Sequence, residues 1–479
     1  MDRKVIERAV AGVFLVFFGG HALAVTREVA NVPQFRLTFG ESVLNQLTYD
    51  TYRDPFDELQ TRPYNLLFAG IGRHANLSPW PGQEGGYARY VDALIGNNGA
   101  ANVDNDADAI QGALIRRETG TIAWGVTAAF LAGTLESDDA SGTSTFQDGD
   151  DLKGIDVRGA AAFQLGESRV LGGGLRLIYA TSSITEDSFE TGVGGFSSED
   201  SFDQPAVIVD AGLRTFLGPR SSWEIAGALG YGAPNVDERS TSFDDTGAVT
   251  GKFVVANYDI DDLSFSVSGS YNRLRADAPG ETEYRGGVTY AQREIGNSNL
   301  SYSEAGGVTT PALTLTGQDA ITTLAFFGSA KTILQAGETE MFVGARLGYA
   351  TVDGATQVDA AGVLSSESID DSQADLRLTL GVRQPLYRDK LRFIVSGRGD
   401  LVRLDTHTGF DTGENGDTAT LTVAQYAIGL EAVLANVTLD LAWLAGEEAP
   451  VVPIPIGLPP GSRRTVELDR LVFSAAVSW

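Results

Sequence analysis

Read in steps of two, the stretch ADLRLTLGVR separates into Leu376, Leu378, Leu380 and Val382 on one side and Asp375, Arg377, Thr379, Gly381 and Arg383 on the other. Two is the period of a β-strand, whose successive side chains point to opposite faces. The division recurs along the chain. Met341, Val343, Ala345, Leu347 and Tyr349 alternate with Phe342, Gly344, Arg346 and Gly348, and Trp223, Ile225, Leu229 and Tyr231 alternate with Glu224, Ala226, Ala228 and Gly230. A chain of such segments is all-β, with one apolar face and one that accepts charge. In a soluble sandwich the apolar face is core, whereas in a membrane barrel it meets lipid.

The connections separate these two folds. From about residue 109 the segments are joined by alternately short and long stretches. The short ones are Glu118-Thr119-Gly120, Gly166-Glu167-Ser168, Gly218-Pro219-Arg220, Ala278-Pro279-Gly280, Ala336-Gly337-Glu338, Tyr387-Arg388-Asp389 and Leu434-Ala435-Asn436. The long ones lie near 133–152, 185–203, 235–260, 295–318, 355–372, 406–419 and 447–463. Short turns on one rim and long loops on the other describe an up-and-down antiparallel transmembrane barrel. Fifteen strand candidates follow residue 108, and bacterial single-chain barrels use even numbers. The stretch GYARYVDALIG at 86–96 is assigned as the missing strand, which gives about sixteen, or fourteen if a pair near 261–294 is loop.

The N-terminus reads as an export signal: Arg3, Lys4 and Arg8 precede an apolar run from Ala9 to Phe18 and then Ala22-Leu23-Ala24, so residues 1–24 are expected to be removed. Residues 25–85 do not follow the strand rhythm and are expected to plug the lumen or lie in the periplasm, leaving 86–479 as the barrel. No stretch has the roughly 18 apolar residues a spanning helix needs. With 57 glycines in 479 residues and no cysteine, the chain is turn-rich and held without disulfides. A formal charge of −28 argues against nucleic acid as a partner.

The chain ends LVFSAAVSW, in which Leu471, Phe473, Ala475, Val477 and Trp479 share one face. With this ending, the export signal and the asymmetric connections, residues 109–479 resemble the Gram-negative outer-membrane β-barrel proteins as a class. The resemblance implies that the barrel-assembly machinery reads the final strand as its assembly signal, through Leu471, Phe473, Val477 and Trp479. It implies residence in the outer membrane, with lipid and lipopolysaccharide as neighbours.

Alternation places Arg158, Arg176, Arg214, Arg285, Arg346, Arg377, Arg383, Arg392 and Arg398 on the lumen face, together with Asp156, Asp210, Glu224, Asp375, Asp400 and Asp440. In a water-filled pore, facing rows of opposite charge admit small polar or anionic solutes and disfavour apolar ones. The alternative is that these charges pair across neighbouring strands and fill a closed structural or surface-interaction barrel. A third reading comes from VVPIPIGLPPG at 451–461. Val451, Val452, Ile454, Ile456 and Leu458 form a greasy outer loop that fits a hydrophobic-solute channel similar to the fatty-acid transporters, although that family's Asn-Pro-Ala hatch motif is missing.

The outer connections are rich in carboxylates, including Glu136, Asp138 and Asp139 and then Glu186, Asp187 and Glu190. They suit weak divalent-cation binding, or bridging to lipopolysaccharide phosphates, and otherwise simply form a solvated face. The stretch DNDAD at 104–108 fails the EF-hand pattern, with Ala109 at the glycine position and Ile115 at the glutamate position. His407 near Asp405 and Asp411 lacks a positioned nucleophile. No enzyme activity, cofactor or structural metal is expected.

Overall fold

The computed structural model describes residues 72–80, 102–448 and 466–478, apart from 118, 142–143, 191–193, 219, 234, 245, 247, 275–280, 296–297, 305–308, 316–320, 361–362, 389 and 411–412. Among the described residues nineteen strands form one antiparallel sheet. They are β1 (Gly72–Trp80), β2 (Asn102–Arg117), β3 (Ile122–Ser141), β4 (Ser144–Leu165), β5 (Arg169–Glu190), β6 (Gly194–Gly218), β7 (Ser221–Gly232), β8 (Asn235–Phe243), β9 (Val249–Leu274) and β10 (Glu281–Ile295). There follow β11 (Ser298–Glu304), β12 (Thr309–Leu315), β13 (Ile321–Ala336), β14 (Thr339–Ala360), β15 (Val363–Tyr387), β16 (Leu391–Phe410), β17 (Gly413–Leu434), β18 (Val437–Glu448) and β19 (Val466–Ser478).

Three strands are interrupted rather than doubled. Both β7 and β8 lie between β6 and β9, with a break at Ala233-Pro234, where proline has no N–H to give the ladder. Similarly, β10 and β11 share β9 as a neighbour, and β12 and β13 share β14. Apart from these breaks each strand pairs with the next in sequence. At the ends of the order, β1 pairs with β2 from Gly72 to Trp80 and with β19 from His74 to Leu77.

Two expectations need correction. A strand at 72–80 falls inside the segment assigned outside the barrel rhythm, and it supplies the partner that β2 was expected to find at 86–96, which lies outside the described residues. Pro79 and Pro81, on either side of Trp80, argue against a strand there. Pro79, however, lies beyond the part of β1 that meets β19, so it has a strand on one side only, the position a sheet tolerates. The signal, most of 25–85, the loop at 451–461 and Trp479 also lie outside the described residues.

The second correction concerns the long connections. The stretch 133–152 is a ladder in which β3 and β4 pair as far as Ser141 and Ser144, and 185–203 pairs β5 with β6 out to Glu190 and Gly194. Hairpins β14–β15 and β16–β17 likewise run to Ala360–Val363 and Phe410–Gly413. A strand of 22 residues such as β4 is about 70 Å long at about 3.3 Å per residue, far more than the 9–11 residues a membrane crossing takes. The sequence of the outer halves carries no hydrophobic period, yet backbone pairing does not require one.

Within the sheet the burial is inverted. Leu347, Leu380, Leu229 and Val209 are among many large apolar side chains exposed on one face, Leu347 to 63%, whereas Arg214, Glu224, Asn272, Asp400 and Glu431 are buried on the other. Trp223, Tyr271 and Tyr284 are register partners on three adjoining strands near the short turns. Eight residues further along β7, Tyr231 donates a hydrogen bond to Asp261 at 2.6 Å, and Tyr179, Tyr290 and Tyr349 are similarly exposed toward the long hairpins. Eight residues of tilted strand rise about 22 Å, close to the apolar band of an outer-membrane protein between its aromatic girdles.

The short turns lie where hairpin chemistry puts them. Gly166, Gly337, Ala435 and Arg388 have positive φ. Above the short turns, on the inner face, Ala113, Ile115, Ala123, Ala160, Ala162 and Val170 form a small apolar cluster joined by Phe216 and Ala226.

Candidate functional site

All nine arginines that alternation selected lie on the inner face, and Arg158 with Arg176 and Arg346 with Arg377 are direct register partners. One line of partners runs across eight strands: Arg214, Glu224, Ser270, Arg285, Ser329, Arg346, Arg377 and Asp400, each directly opposite the next. Sequence alternation identified the face but not this line, which depends on every register between β6 and β16.

The lower end of the line is a paired network. Arg214 lies 3.2 Å from Glu224, which also accepts hydrogen bonds from Ser270 and Asn272 at 3.0 Å each. Its upper end is paired too. Asp400 accepts from Nε of Arg377 at 2.9 Å and from Nε of Arg398 at 2.8 Å. Between these ends stand Arg285 and Arg346. Arg285 donates to Ser268 at 3.3 Å, and the guanidinium groups of Arg285 and Arg346 lie 5.7 and 5.1 Å from the centre of the Phe327 ring. Arginine over an aromatic face is attracted by the ring quadrupole, which orients both cations on the wall.

Two further groups lie beside the line. Arg158 of β4 reaches Asp210 of β6 at 2.6 Å, passing over Gly174, while Arg176 of β5 reaches back to Asp156 of β4 through Nε at 2.8 Å. Toward the short turns, Glu431 pairs with Arg383 and with Arg392, the latter at 2.5 Å, and Glu340 lies 3.6 Å from Arg383. The pairing across strands expected of a filled wall is therefore present at Arg158, Arg176, Arg214, Arg377, Arg383, Arg392 and Arg398. Charge-assisted pairs of this kind hold side chains in fixed geometry while keeping buried charges compensated.

Asp375 is on the same face but lies back against Gly348, its register partner: a Cβ there would fall on the Asp375 carboxylate. Glu283, Glu340, Glu431 and Phe327 were not singled out by sequence reasoning. Glu283 and Glu340 share parity with Arg285 and Arg346 on their own strands, so their signal was available, whereas the strands of Glu431 and Phe327 carry no arginine. Among the described residues no cluster of three or more His, Asp or Glu side chains is placed to hold a metal ion.

An apolar outer face and a charged inner face, wound by next-neighbour antiparallel pairing, are the construction of a β-barrel of the Gram-negative outer membrane. No family model and no curated protein matches the chain. Among solved structures it is similar to the Ralstonia pickettii toluene transporter TbuX at 12% identity and a TM-score of 0.42, over 91% of this chain and 97% of that one. Similarity to the Pseudomonas putida toluene transporter TodX is at 11% identity and 0.42, over 90% and 95%. The translocator domain of autotransporter NalP from Neisseria meningitidis aligns at 11% identity and 0.27, over 66% and 90%. At such identities and scores the likeness carries no residue's role across.

Proposed function

We propose that the chain is an outer-membrane channel for passive diffusion of small polar or anionic solutes along an arginine-lined lumen. The observation that supports it is the line from Arg214 to Asp400, which puts four arginines and two carboxylates on one row of the inner wall.

In this reading the ladder closes on itself between β19 and β1, and the three interrupted strands reduce nineteen segments to sixteen spanning strands. Following register partners from Ile115 leads through Gly125, Ala160, Gly174, Asp210, Ala228, Ser266, Thr289, Ala325, Ala350, Gln373 and Leu404 to Ala419. Extending the β17–β18, β18–β19, β19–β1 and β1–β2 registers in phase brings the circuit back sixteen residues before its start, which in this reading is a stagger of sixteen residues per circuit. Sixteen strands with that stagger tilt by about 35° and enclose a backbone radius of about 15 Å, the size at which aqueous channels occur. The arginine line is then a ramp, climbing about 19 Å from Arg214 toward the long hairpins.

Planar-bilayer recordings test this. Arg377→Glu and Arg398→Glu are expected to move the ion preference of the pore toward cations, and a purified wild type that forms no pore refutes the channel.

A second reading, a channel for hydrophobic compounds, draws on the apolar inner cluster around Ile115 and on Val451, Val452, Ile454, Ile456 and Leu458. It expects Ile454→Asp with Ile456→Asp to weaken uptake of an aromatic or fatty compound more than tenfold while sparing ion conductance. The remaining proposals are the part of 25–85 before β1 as a plug or periplasmic segment, the assembly machinery as reader of β19, and lipopolysaccharide, bridged by weakly held divalent cations, beside the acidic hairpins.

A further inference from the structure

Three inward glycines carry a neighbour's side chain across them. Each is the direct register partner of the residue it receives: Gly287 with Phe327, Gly348 with Asp375, and Gly381 with Phe342. A Cβ on Gly287 would lie 2.6 Å from Cε1 of Phe327, and a Cβ on Gly348 or Gly381 would overlap Asp375 or Phe342 outright. Real Cβ atoms do not approach so closely, so in each case the side chain occupies the volume that any other residue would fill. It therefore lies along the wall instead of standing into the lumen. Phe342, only 2% exposed, is the extreme case.

The location of these notches matters. Arg346 lies between Phe342 and Gly348 on β14, and Arg377 lies between Asp375 and Gly381 on β15, while Arg285 precedes Gly287 on β10. The bulky or acidic neighbours of the central arginines are thus laid flat. Asp375 is the telling member, because a carboxylate standing two residues from Arg377 would add to that of Asp400, which already pairs with this arginine, and offset it further for any passing anion.

We infer that Gly287, Gly348 and Gly381 are specificity-determining residues: by receiving Phe327, Asp375 and Phe342 they clear the wall around Arg285, Arg346 and Arg377, so that the arginines meet the solute. This deepens the channel reading and rests on it for its functional consequence, but not for its geometry.

The chain has no cysteine, so a single introduced thiol can be followed without background. With the full protein in detergent or liposomes, Asp375→Cys is expected to react at least about tenfold more slowly with a charged methanethiosulfonate reagent than Arg377→Cys on the same face of the same strand. Adding Gly348→Ala to Asp375→Cys should remove most of that protection. Equal rates for the two single cysteines, or no effect of Gly348→Ala on a correctly inserted protein, overturn the inference. If Gly348→Ala does not insert, the comparison of the two single cysteines decides.

In bilayers, Gly348→Ala leaves the charge of the chain unchanged and should nevertheless shift the ion preference toward cations, and Gly348→Ala with Asp375→Asn should restore it. A shift that persists without the carboxylate also overturns the inference. If the wild type carries no current, the channel reading falls, while the labelling rates still decide the geometry.

Discussion

Glu224 and Arg214 face each other across the β6–β7 ladder with 3.2 Å between carboxylate and guanidinium, and Glu224 is only 3% exposed. Ser222 accepts from Arg214 Nε at 3.2 Å, and Ser270 and Asn272 donate to the carboxylate from β9. Removing one member of such a pair leaves the other charge buried without compensation. Glu224→Ala is expected to destabilise the folded protein by about 3–5 kcal/mol. Glu224→Gln retains one acceptor oxygen and should cost less. Urea unfolding in lipid vesicles, followed by tryptophan fluorescence, measures the difference.

Gly174 is the crossing point of a second pair. A Cβ there would come within 2.8 Å of Arg158 Nη2 and 3.1 Å of an Asp210 carboxylate oxygen, so Arg158 reaches β6 only because β5 has no side chain at that position. Gly174→Val should break the Arg158–Asp210 contact and destabilise by an amount similar to Asp210→Ala. The double variant should cost little more than either single one, because both remove the same interaction. Full additivity in the unfolding midpoints would contradict this account.

Phe473 is exposed on the outer face of β19, with Leu441 of β18 as its register partner. Replacing Phe473 and Trp479 by serine should lower outer-membrane levels severalfold while leaving export across the inner membrane intact. Fractionation and immunoblotting read both quantities, and normal outer-membrane levels would remove the assembly role of the last strand.

At the tip between β8 and β9, Asp244 accepts a hydrogen bond from the Thr246 hydroxyl at 2.6 Å and from the amides of Ala248 and Thr246 at 2.9 Å each. These bonds, the hydroxyl foremost, hold the Asp244 carboxyl below its ordinary range. A depressed carboxyl contributes order above its unfolded pKa and loses it as pH falls through the folded value. Amide exchange at Thr246 and Ala248 should therefore become less protected below about pH 4, after correction for intrinsic exchange, and Asp244→Asn should abolish the change.

The all-β fold and the inward placement of the arginines were legible because alternation survives wherever one face meets lipid, as in Leu376 to Val382. β1 was not legible, since Arg73, His74 and Asn76 interrupt any apolar face and Pro79 argues for a break. The outer ladders were hidden for a related reason. Along Asp138–Ser141 and Ser144–Gln147 of the β3–β4 hairpin the composition is that of a loop, although the backbone is paired. The arginine line and the glycine notches depend on registers, which alternation within one strand does not contain.

In the proposed sixteen-strand channel, a stagger of sixteen residues would make angle around the wall and depth in the membrane one coordinate. Arg214, Arg285, Arg346 and Arg377 would then differ in height and sample successive fractions of the transmembrane voltage. A slowly permeating anion that lodges near Arg377 and one that lodges near Arg214 would show different electrical distances, so the voltage dependence of block reports which step of the ramp a solute occupies.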